Sequence, residues 1–162
     1  MSEPAAPLST DDTAAQVLRK FRVVFNAIRS HFREIEKEAG IGGAQVWALS
    51  LIHDTPGAGV GHIAKNMDIH QSTASNLVKT LVGKNLLTLS KSVADKRSVE
   101  LHITAEGSTI LSKIPGPFEG VLPMALATLP LATLDRLNKD LADLTLALRA
   151  DDDAGSIPLA NL

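Results

Sequence analysis

The sequence predicts a mainly α-helical protein with one small β-hairpin. Hydrophobic residues make up 44% of the 162 residues and aromatic residues only 3%, so aliphatic side chains must fill the core. Helical spacing of hydrophobic residues dominates the chain, whereas strict alternation is confined to residues 87–90 and 98–103. Within residues 63–103 a short helix, a tight turn, a second helix and this hairpin follow one another. Elements in this order make a winged helix-turn-helix, which is a DNA-reading module.

The N-terminal part of the chain predicts one long helix. Ser9 and the carboxylates after it form a helix start, and Gly40 is placed to end the helix. At a rise of about 1.5 Å per residue, the helix would be about 40 Å long. This is long for the core of a single subunit of this size, so part of its apolar stripe is expected to meet a second subunit. The residues of this stripe, spaced by three or four, are Val17, Leu18, Phe21, Val24, Phe25, Ile28, Phe32 and Ile35.

Shorter helices are predicted next, over residues 44–53, over residues 60–67 and from Gln71 onward. The hairpin follows, and Thr104 is placed to cap the helix after it. Alternation predicts that one side of the hairpin faces inward. The residues on that side are Leu87, Leu89, Val99, Leu101 and Ile103.

The C-terminal part predicts interrupted helices. Pro115 and Pro117 should break the helix after the hairpin, which would resume over residues 118–129, with Pro123 as a bend. The last helix, residues 131–148, could be an amphipathic core helix or could form a helix–helix dimer seam. Its leucines, spaced alternately by three and four, are Leu134, Leu137, Leu141, Leu144 and Leu148.

The helix that begins at Gln71 offers a polar face to DNA. Glutamine and asparagine can bond adenine in a bidentate way, serine can bond a phosphate or a base, and the threonine methyl can touch a thymine. The free N–H groups at the helix start would also meet phosphates. A solvated surface is the alternative interpretation of this face. The residues predicted to contact DNA from this helix are Gln71, Ser72, Thr73, Ser75, Asn76 and Lys79.

The loop between the predicted strands, called the wing, clusters the charged residues Lys91, Asp95, Lys96 and Arg97. An arginine at a hairpin tip can enter a narrow minor groove, and Asp95 can orient the guanidinium of Arg97. Residues 60–100 hold six basic and three acidic residues, against ten and fifteen in the rest of the chain. This distribution suits a DNA-binding face on an acidic scaffold, although ordinary scatter could also produce it.

Residues 56–107 resemble the winged helix-turn-helix of the MarR family, the multiple-antibiotic-resistance regulators. The resemblance is carried by Ile63-Ala64, Ser72-Thr73-x-Ser75, Leu77-Val78-x-x-Leu81, Leu86-Leu87, Asp95-x-Arg97-Ser98 and Ile103-Thr104-x-x-Gly107. It implies a homodimer that binds double-stranded DNA at pseudo-palindromic operators, usually as a transcriptional repressor. The chain departs from the family where His70, Gln71 and Asn76 replace a common Asp and two common arginines. The helix that begins at Gln71 is therefore less basic than usual, and the wing is expected to contribute more to DNA binding.

The resemblance also implies how the chain is organised. Residues 9–40 and 108–150 would form the helical dimerisation region, and residues 41–107 the DNA-binding domain. Residues 1–8 are expected to be disordered and residues 151–162 to be a loose tail.

Many members of the MarR family, which this chain resembles, release DNA when a small aromatic or phenolic effector binds between the dimerisation region and the DNA-binding domain. Arg29 and His53 would supply the donor or cation that an anionic ligand needs, whereas plain core is the favoured interpretation of the three aromatic candidates. The predicted ligand-binding residues are Phe25, Arg29, Phe32, Trp47 and His53.

Several function classes find no support. The chain has no cysteine, and its five histidines lie in different predicted elements, so we expect no metal and no cofactor. Catalytic motifs are missing, so we expect no enzyme. The N-terminus has no signal-peptide pattern and no apolar run could span a membrane, which favours a cytoplasmic protein. The rival hypothesis is a winged-helix protein-interaction module that does not bind DNA.

Overall fold

The computed structural model describes residues 9–92 and 98–161, and these form helices with one two-stranded antiparallel sheet. The mainly α fold class with a small β-wing is thereby confirmed. The elements in chain order are α1 (Thr10–Ala39), α2 (Gly43–Asp54), α3 (Val60–Met67), α4 (Gln71–Gly83), β1 (Leu87–Lys91), β2 (Val99–Ile103), α5 (Ala105–Ser112), α6 (Val121–Ala127) and α7 (Leu131–Leu148). Residues 151–161, called the C-terminal tail, contain two short 3-10 helices, Asp152–Ser156 and Leu159–Asn161.

Helix α1 begins and ends where its sequence predicts. The Ser9 hydroxyl accepts a hydrogen bond from the Asp12 N–H at 3.1 Å, which satisfies one of the free donors of the first turn. Gly40 adopts a left-handed conformation with φ of 71° and closes the last turn. Its apolar stripe divides into two parts: Ile28 is buried, whereas Phe25 is 54% exposed. The N-terminal part of the stripe is therefore largely exposed in the part of the chain that the structure describes.

The core lies inside the winged helix-turn-helix body, where α2 is surrounded by α3, α4, α5 and β2. Helix α2 is apolar on nearly all sides, and this composition suits a helix buried on all sides. The largest fully buried side chains are Val46, Leu49, Ile52, Ile63, Leu81, Leu87 and Leu101.

Strand β2 has a backbone neighbour along each of its two edges. On one edge it pairs with β1, where Leu89 stands opposite Leu101. On the other edge, the Leu101 N–H donates to the Ala58 carbonyl oxygen at 3.0 Å, and the Gly57 N–H donates to the Leu101 carbonyl oxygen at 2.8 Å. These two hydrogen bonds fasten the wing to the connection between α2 and α3.

The inward side of the hairpin is covered only at its base. Leu87 and Leu101 are buried and Ile103 is half-buried, but Leu89 is 53% and Val99 45% exposed. The prediction that Leu89 and Val99 face the core was therefore wrong. Both lie on the predicted side of the sheet, but the hairpin extends beyond the helices that cover its base.

Helix α5 starts in close contact with the chain leading into β1. The Thr104 hydroxyl accepts from the Gly107 N–H at 3.0 Å and donates to the Asn85 carbonyl oxygen at 2.8 Å. The predicted cap is confirmed, and it also ties α5 to the turn between α4 and β1. Asn85 itself has a positive φ of 59°, a conformation that asparagine tolerates in tight turns.

The region after α5 departs from its prediction in two ways. Helix α6 begins at Val121 rather than near residue 118, because Gly120 adopts φ of 104° and keeps the preceding residues out of the helix. Pro123 does not bend α6, since it lies in the first turn, where its missing N–H would have no partner in the helix.

Helix α7 has the predicted bounds, and none of its residues is buried. The C-terminal tail, by contrast, is not the loose segment that the sequence predicts. Pro158 is buried, and Ala160 packs close to Gly43, where an added Cβ would lie 3.1 Å from the alanine Cβ. The tail returns from α7 to α1 and α2 and rests on both.

Candidate nucleic-acid interface

Helix α4 presents its polar side to solvent because its other side is held in the core. Ala74 and Leu81 have no exposed surface, and Val78 is 5% exposed. The predicted DNA-contacting residues lie on the remaining sides of the helix. The exposed ones are Gln71, Ser72, Asn76 and Lys79, and the half-buried ones are Thr73 and Ser75. A single rigid helix therefore displays all six predicted side chains.

The start of α4 is open. His70 occupies the cap position, but its side chain makes no capping hydrogen bond. The Gln71 Oε1 atom lies 3.9 Å from where a Cβ on Gly61 would be, which places the carboxamide beside α3. The first turn of α4 thus keeps N–H groups that could meet a phosphate.

The wing is described at its base only. Lys91 is exposed at the end of β1, and the Ser92 N–H donates to the Ser98 carbonyl oxygen at 3.1 Å, which closes the hairpin before the loop. Asp95, Lys96 and Arg97 lie outside the described residues. Their predicted roles at the minor groove remain predictions from the sequence.

Two pairs near α4 are absent from the sequence prediction. The Lys84 ammonium group donates to Gln45 Oε1 at 3.1 Å and thereby links the end of α4 to α2. On α3, the Asn66 side chain donates to the His62 carbonyl oxygen at 2.8 Å. The spacing of four between His62 and Asn66 is a helical signal that could have found the second pair. The first joins residues 39 positions apart, which no local pattern reveals.

The five predicted ligand-binding residues are not brought together. Phe25, Arg29 and Phe32 line a cleft of about 550 Å³ between α1 and the C-terminal tail. Trp47 is half-buried against the core on α2. His53 is exposed at the end of α2, with Nδ1 3.0 Å from Asp54 Oδ1. Trp47 and His53 do not line this cleft, and the five residues as one ligand site stay a prediction from the sequence.

An apolar groove of about 810 Å³ lies between the N-terminal half of α1 and the C-terminal end of α7. The large apolar residues along it are Val17, Leu18, Phe21, Phe25, Leu144 and Leu148.

Other kinds of site find no support in residues 9–92 and 98–161. In that part of the chain, no three side chains among His, Asp and Glu are grouped so that they could hold a metal ion. No helix there has the length and apolar character that crossing a membrane requires.

Residues 44–99 match the model of the MarR family. The regulator Hpr of Exiguobacterium sibiricum, an HTH-type transcriptional regulator, is 35% identical over 105 residues, which are 62% of this chain and 54% of the relative. The chain spans about half the length of the curated relatives it matches. The matching names are those of regulators rather than enzymes, in agreement with the prediction that the chain is not an enzyme.

Solved structures share the fold at low sequence identity. A point variant of MepR from S. aureus bound to an oligodeoxyribonucleotide is 19% identical, with a TM-score of 0.52 over 82% of this chain and 97% of that chain. BpsR of Bordetella bronchiseptica, whose DNA binding is regulated by 6-hydroxynicotinic acid, is 20% identical, with a TM-score of 0.51 over 80% and 98%. At this identity the likeness shows the winged-helix fold alone.

Proposed function

We propose that the chain is a member of the MarR family, whose model matches residues 44–99, and that it is a homodimeric, sequence-specific DNA-binding transcriptional regulator of the cytoplasm. The proposal further includes repression from pseudo-palindromic operators and release by a small aromatic or phenolic effector. Each of these parts has its own support and its own test.

The observation that carries DNA binding is the exposure of one polar face on a helix fixed in the core. Gln71 and Asn76 can each offer an amide to an adenine edge, and Lys79 can meet a phosphate. The helix start adds backbone donors, and Lys91 is exposed at the end of β1, where the wing begins. Because α4 is anchored by Ala74 and its buried neighbours, a helix in the major groove would need no refolding.

Dimerisation is supported by apolar surface that the single chain leaves uncovered. Leu18 on α1 is 51% exposed, and Leu141 on α7 is 43% exposed. Such surface is costly in water and marks a site for a partner. A second copy of the chain suits both faces, because an isologous contact pairs the same surface on each subunit. The DNA-binding domains of the two subunits would then face the two half-sites of a palindromic operator.

Repression and effector release are the parts drawn from the family. BpsR, which shares the fold, is regulated by an aromatic acid, and the cleft beside Arg29 in this chain has room for a molecule of that kind. A regulator that loses DNA upon binding an effector requires a ligand that binds the DNA-free form more tightly.

Selection of bound fragments from random duplex DNA, followed by anisotropy titrations, tests the function. We expect saturable binding to a palindromic sequence as a dimer, with log Kd rising linearly with log salt at about 0.9 per neutralised phosphate. A chain that binds no duplex sequence saturably at low salt would instead be the winged-helix protein-interaction module of the rival hypothesis.

A further inference from the structure

The ring of Phe32 is the meeting point of α1, the start of α2, the residues before α6 and the C-terminal tail, and this place is called the Phe32 junction. The side chain is 6% exposed. A Cβ added at Gly43 would come within 2.6 Å of the ring, and one added at Gly120 within 2.9 Å. The Cβ at Gly43 would also lie 3.1 Å from the Ala160 Cβ. Neither glycine leaves room for a methyl group, so the segments pack directly against one another.

Two hydrogen bonds tie α1 to its neighbours at this junction. The Gly43 N–H donates to Glu36 Oε1 at 3.1 Å, which joins the end of α1 to the start of α2. His31 donates from Nε2 to the Pro117 carbonyl oxygen at 2.9 Å, which joins α1 to the connection between α5 and α6. Because a carbonyl oxygen can only accept, this nitrogen carries the proton. The C-terminal half of α1 is thus bonded to the winged helix-turn-helix body at two points.

The C-terminal tail reaches the Phe32 junction from α7. Helix α7 ends at Leu148, and Arg149 adopts a left-handed conformation with φ of 52° that closes the helix. Further along, Pro158 is buried and Ala160 lies at the junction. The tail therefore connects α7, in which no residue is buried, to the place where α1 meets α2.

The tail is held at the junction by apolar packing. Among the described residues, its hydrogen bonds stay within the tail itself, as from the Asn161 N–H to the Pro158 carbonyl oxygen at 2.9 Å. Ile157 is 51% and Leu159 38% exposed, so the packing rests mainly on Pro158 and Ala160. Segments with few buried contacts are those that open most readily in a folded protein. The tail can therefore leave the junction while the rest of the chain stays folded.

We propose that the C-terminal tail is a releasable strap for the DNA-binding domain. While the tail is seated, Ala160 and the Phe32 ring confine the start of α2, and the winged helix-turn-helix body keeps one angle to α1. After release, one wall of the junction is missing and the angle is free to vary. In a dimer this angle sets the separation of the two DNA-binding domains, so the strap selects the spacing of the operator half-sites. This consequence rests on the proposed function, whereas the strap itself does not.

Hydrogen exchange at single amides, followed by NMR without DNA, tests the strap. One variant ends at Ala150 and lacks the tail, and the other, Ala160→Asp, keeps the tail but puts a carboxylate against the ring. Both should speed exchange at the Gly43 and Val46 amides about tenfold, because these amides lie in the first turn of α2 beside the tail. The Ala74 amide in α4 should exchange as in the wild type.

Ala154→Asp is the matched control, because Ala154 is an exposed residue of the tail and the same charge there should leave the tail seated. Its exchange should equal that of the wild type. Unchanged exchange at the start of α2 in either folded variant would overturn the strap. Unfolding of both variants, measured by circular dichroism, would overturn its release, because the tail would then be part of the core.

Operators with one base pair added between the half-sites test the control of spacing. The added pair turns one half-site by about 35° relative to the other. The wild type should lose about tenfold in affinity for this operator, and Ala160→Asp only about threefold, because its two domains can adjust. Equal losses would overturn the control of spacing. A chain that binds no operator would contradict the proposed function instead, and the exchange measurements would still decide the strap.

Discussion

Gly107 lies directly against the carbonyl oxygen of Leu86. A Cβ at position 107 would come within 2.6 Å of that oxygen and 2.7 Å of Ile103 Cγ1. This contact joins the first turn of α5 to the chain entering β1, beside the bond by which the Thr104 N–H donates to the Leu86 carbonyl oxygen at 3.1 Å. The hairpin base and the helix that follows it are therefore fixed to each other through backbone atoms.

Gly107→Ala should destabilise the fold by about 1–3 kcal/mol, the usual cost of overpacking a filled site. Alanine favours a helix over glycine by up to about 1 kcal/mol, but the overlap with a backbone oxygen outweighs that gain. Urea unfolding measures the difference. Gly83→Ala is the matched control, because a Cβ at Gly83 would meet nothing within 4 Å. A Gly107 variant as stable as the Gly83 variant would contradict the close contact.

Gln71→Ala and Asn76→Ala should each weaken binding to the selected operator by about 1–3 kcal/mol and relax the base preference at one position. The reason is that a bidentate amide contact distinguishes adenine from other bases. Anisotropy titration against the operator and single-base variants provides the measurement. Ser112→Ala, at the far end of α5, is the control. If both variants bound all base variants like the wild type, α4 would not read the sequence.

Arg97→Ala should cost about 1–3 kcal/mol of operator affinity and make the salt dependence shallower by about one unit of slope. An arginine in a narrow minor groove gains from the negative potential there. The same titrations at several salt concentrations report both quantities. Lys37→Ala, an exposed cation in the last turn of α1, should change neither. Unaltered affinity in the Arg97 variant would remove the wing from the interface.

Leu141→Asp should turn a dimer into a monomer while the subunit stays folded. The side chain is 43% exposed in the single chain, so its loss costs the subunit little, whereas a dimer seam would lose about 1.5–3 kcal/mol per buried leucine. Sedimentation velocity with circular dichroism separates the two effects. Leu146→Asp, at 79% exposed on another face of α7, is the control. A wild-type chain that sediments as a monomer would refute the seam.

Local chemistry predicted the element boundaries well. Ser9, Gly40 and Thr104 are capping residues whose hydrogen bonds or dihedral angles depend only on near neighbours, and all three act at the predicted positions. The apolar face of α4 follows from its spacing in the same way. The alternation of apolar and polar residues could not show how far the helices extend beneath the hairpin. Leu89 and Val99 were therefore assigned to the core.

Contacts between distant segments were the part that the sequence did not predict. The tail docks because Gly43 leaves room beside Phe32, a relation between three segments that no periodic pattern contains. Likewise, α2 is apolar on nearly all sides, so its sequence pattern does not predict which neighbour each side chain faces. The spacing therefore did not show that Trp47 would be half-buried against the core and His53 exposed at the end of α2.

The hydrogen bonds of Leu101 have a consequence for motion. Its N–H and carbonyl group are both bonded to the connection between α2 and α3, while β1 holds the other edge of the strand. Native-state hydrogen exchange at the Leu101 amide should consequently occur only with global unfolding. We therefore expect the wing base and the helix-turn-helix to move as one rigid body. An allosteric signal would then move the wing and the helix-turn-helix together. It would change how well the two match neighbouring grooves of the DNA, and not the position of one of them alone.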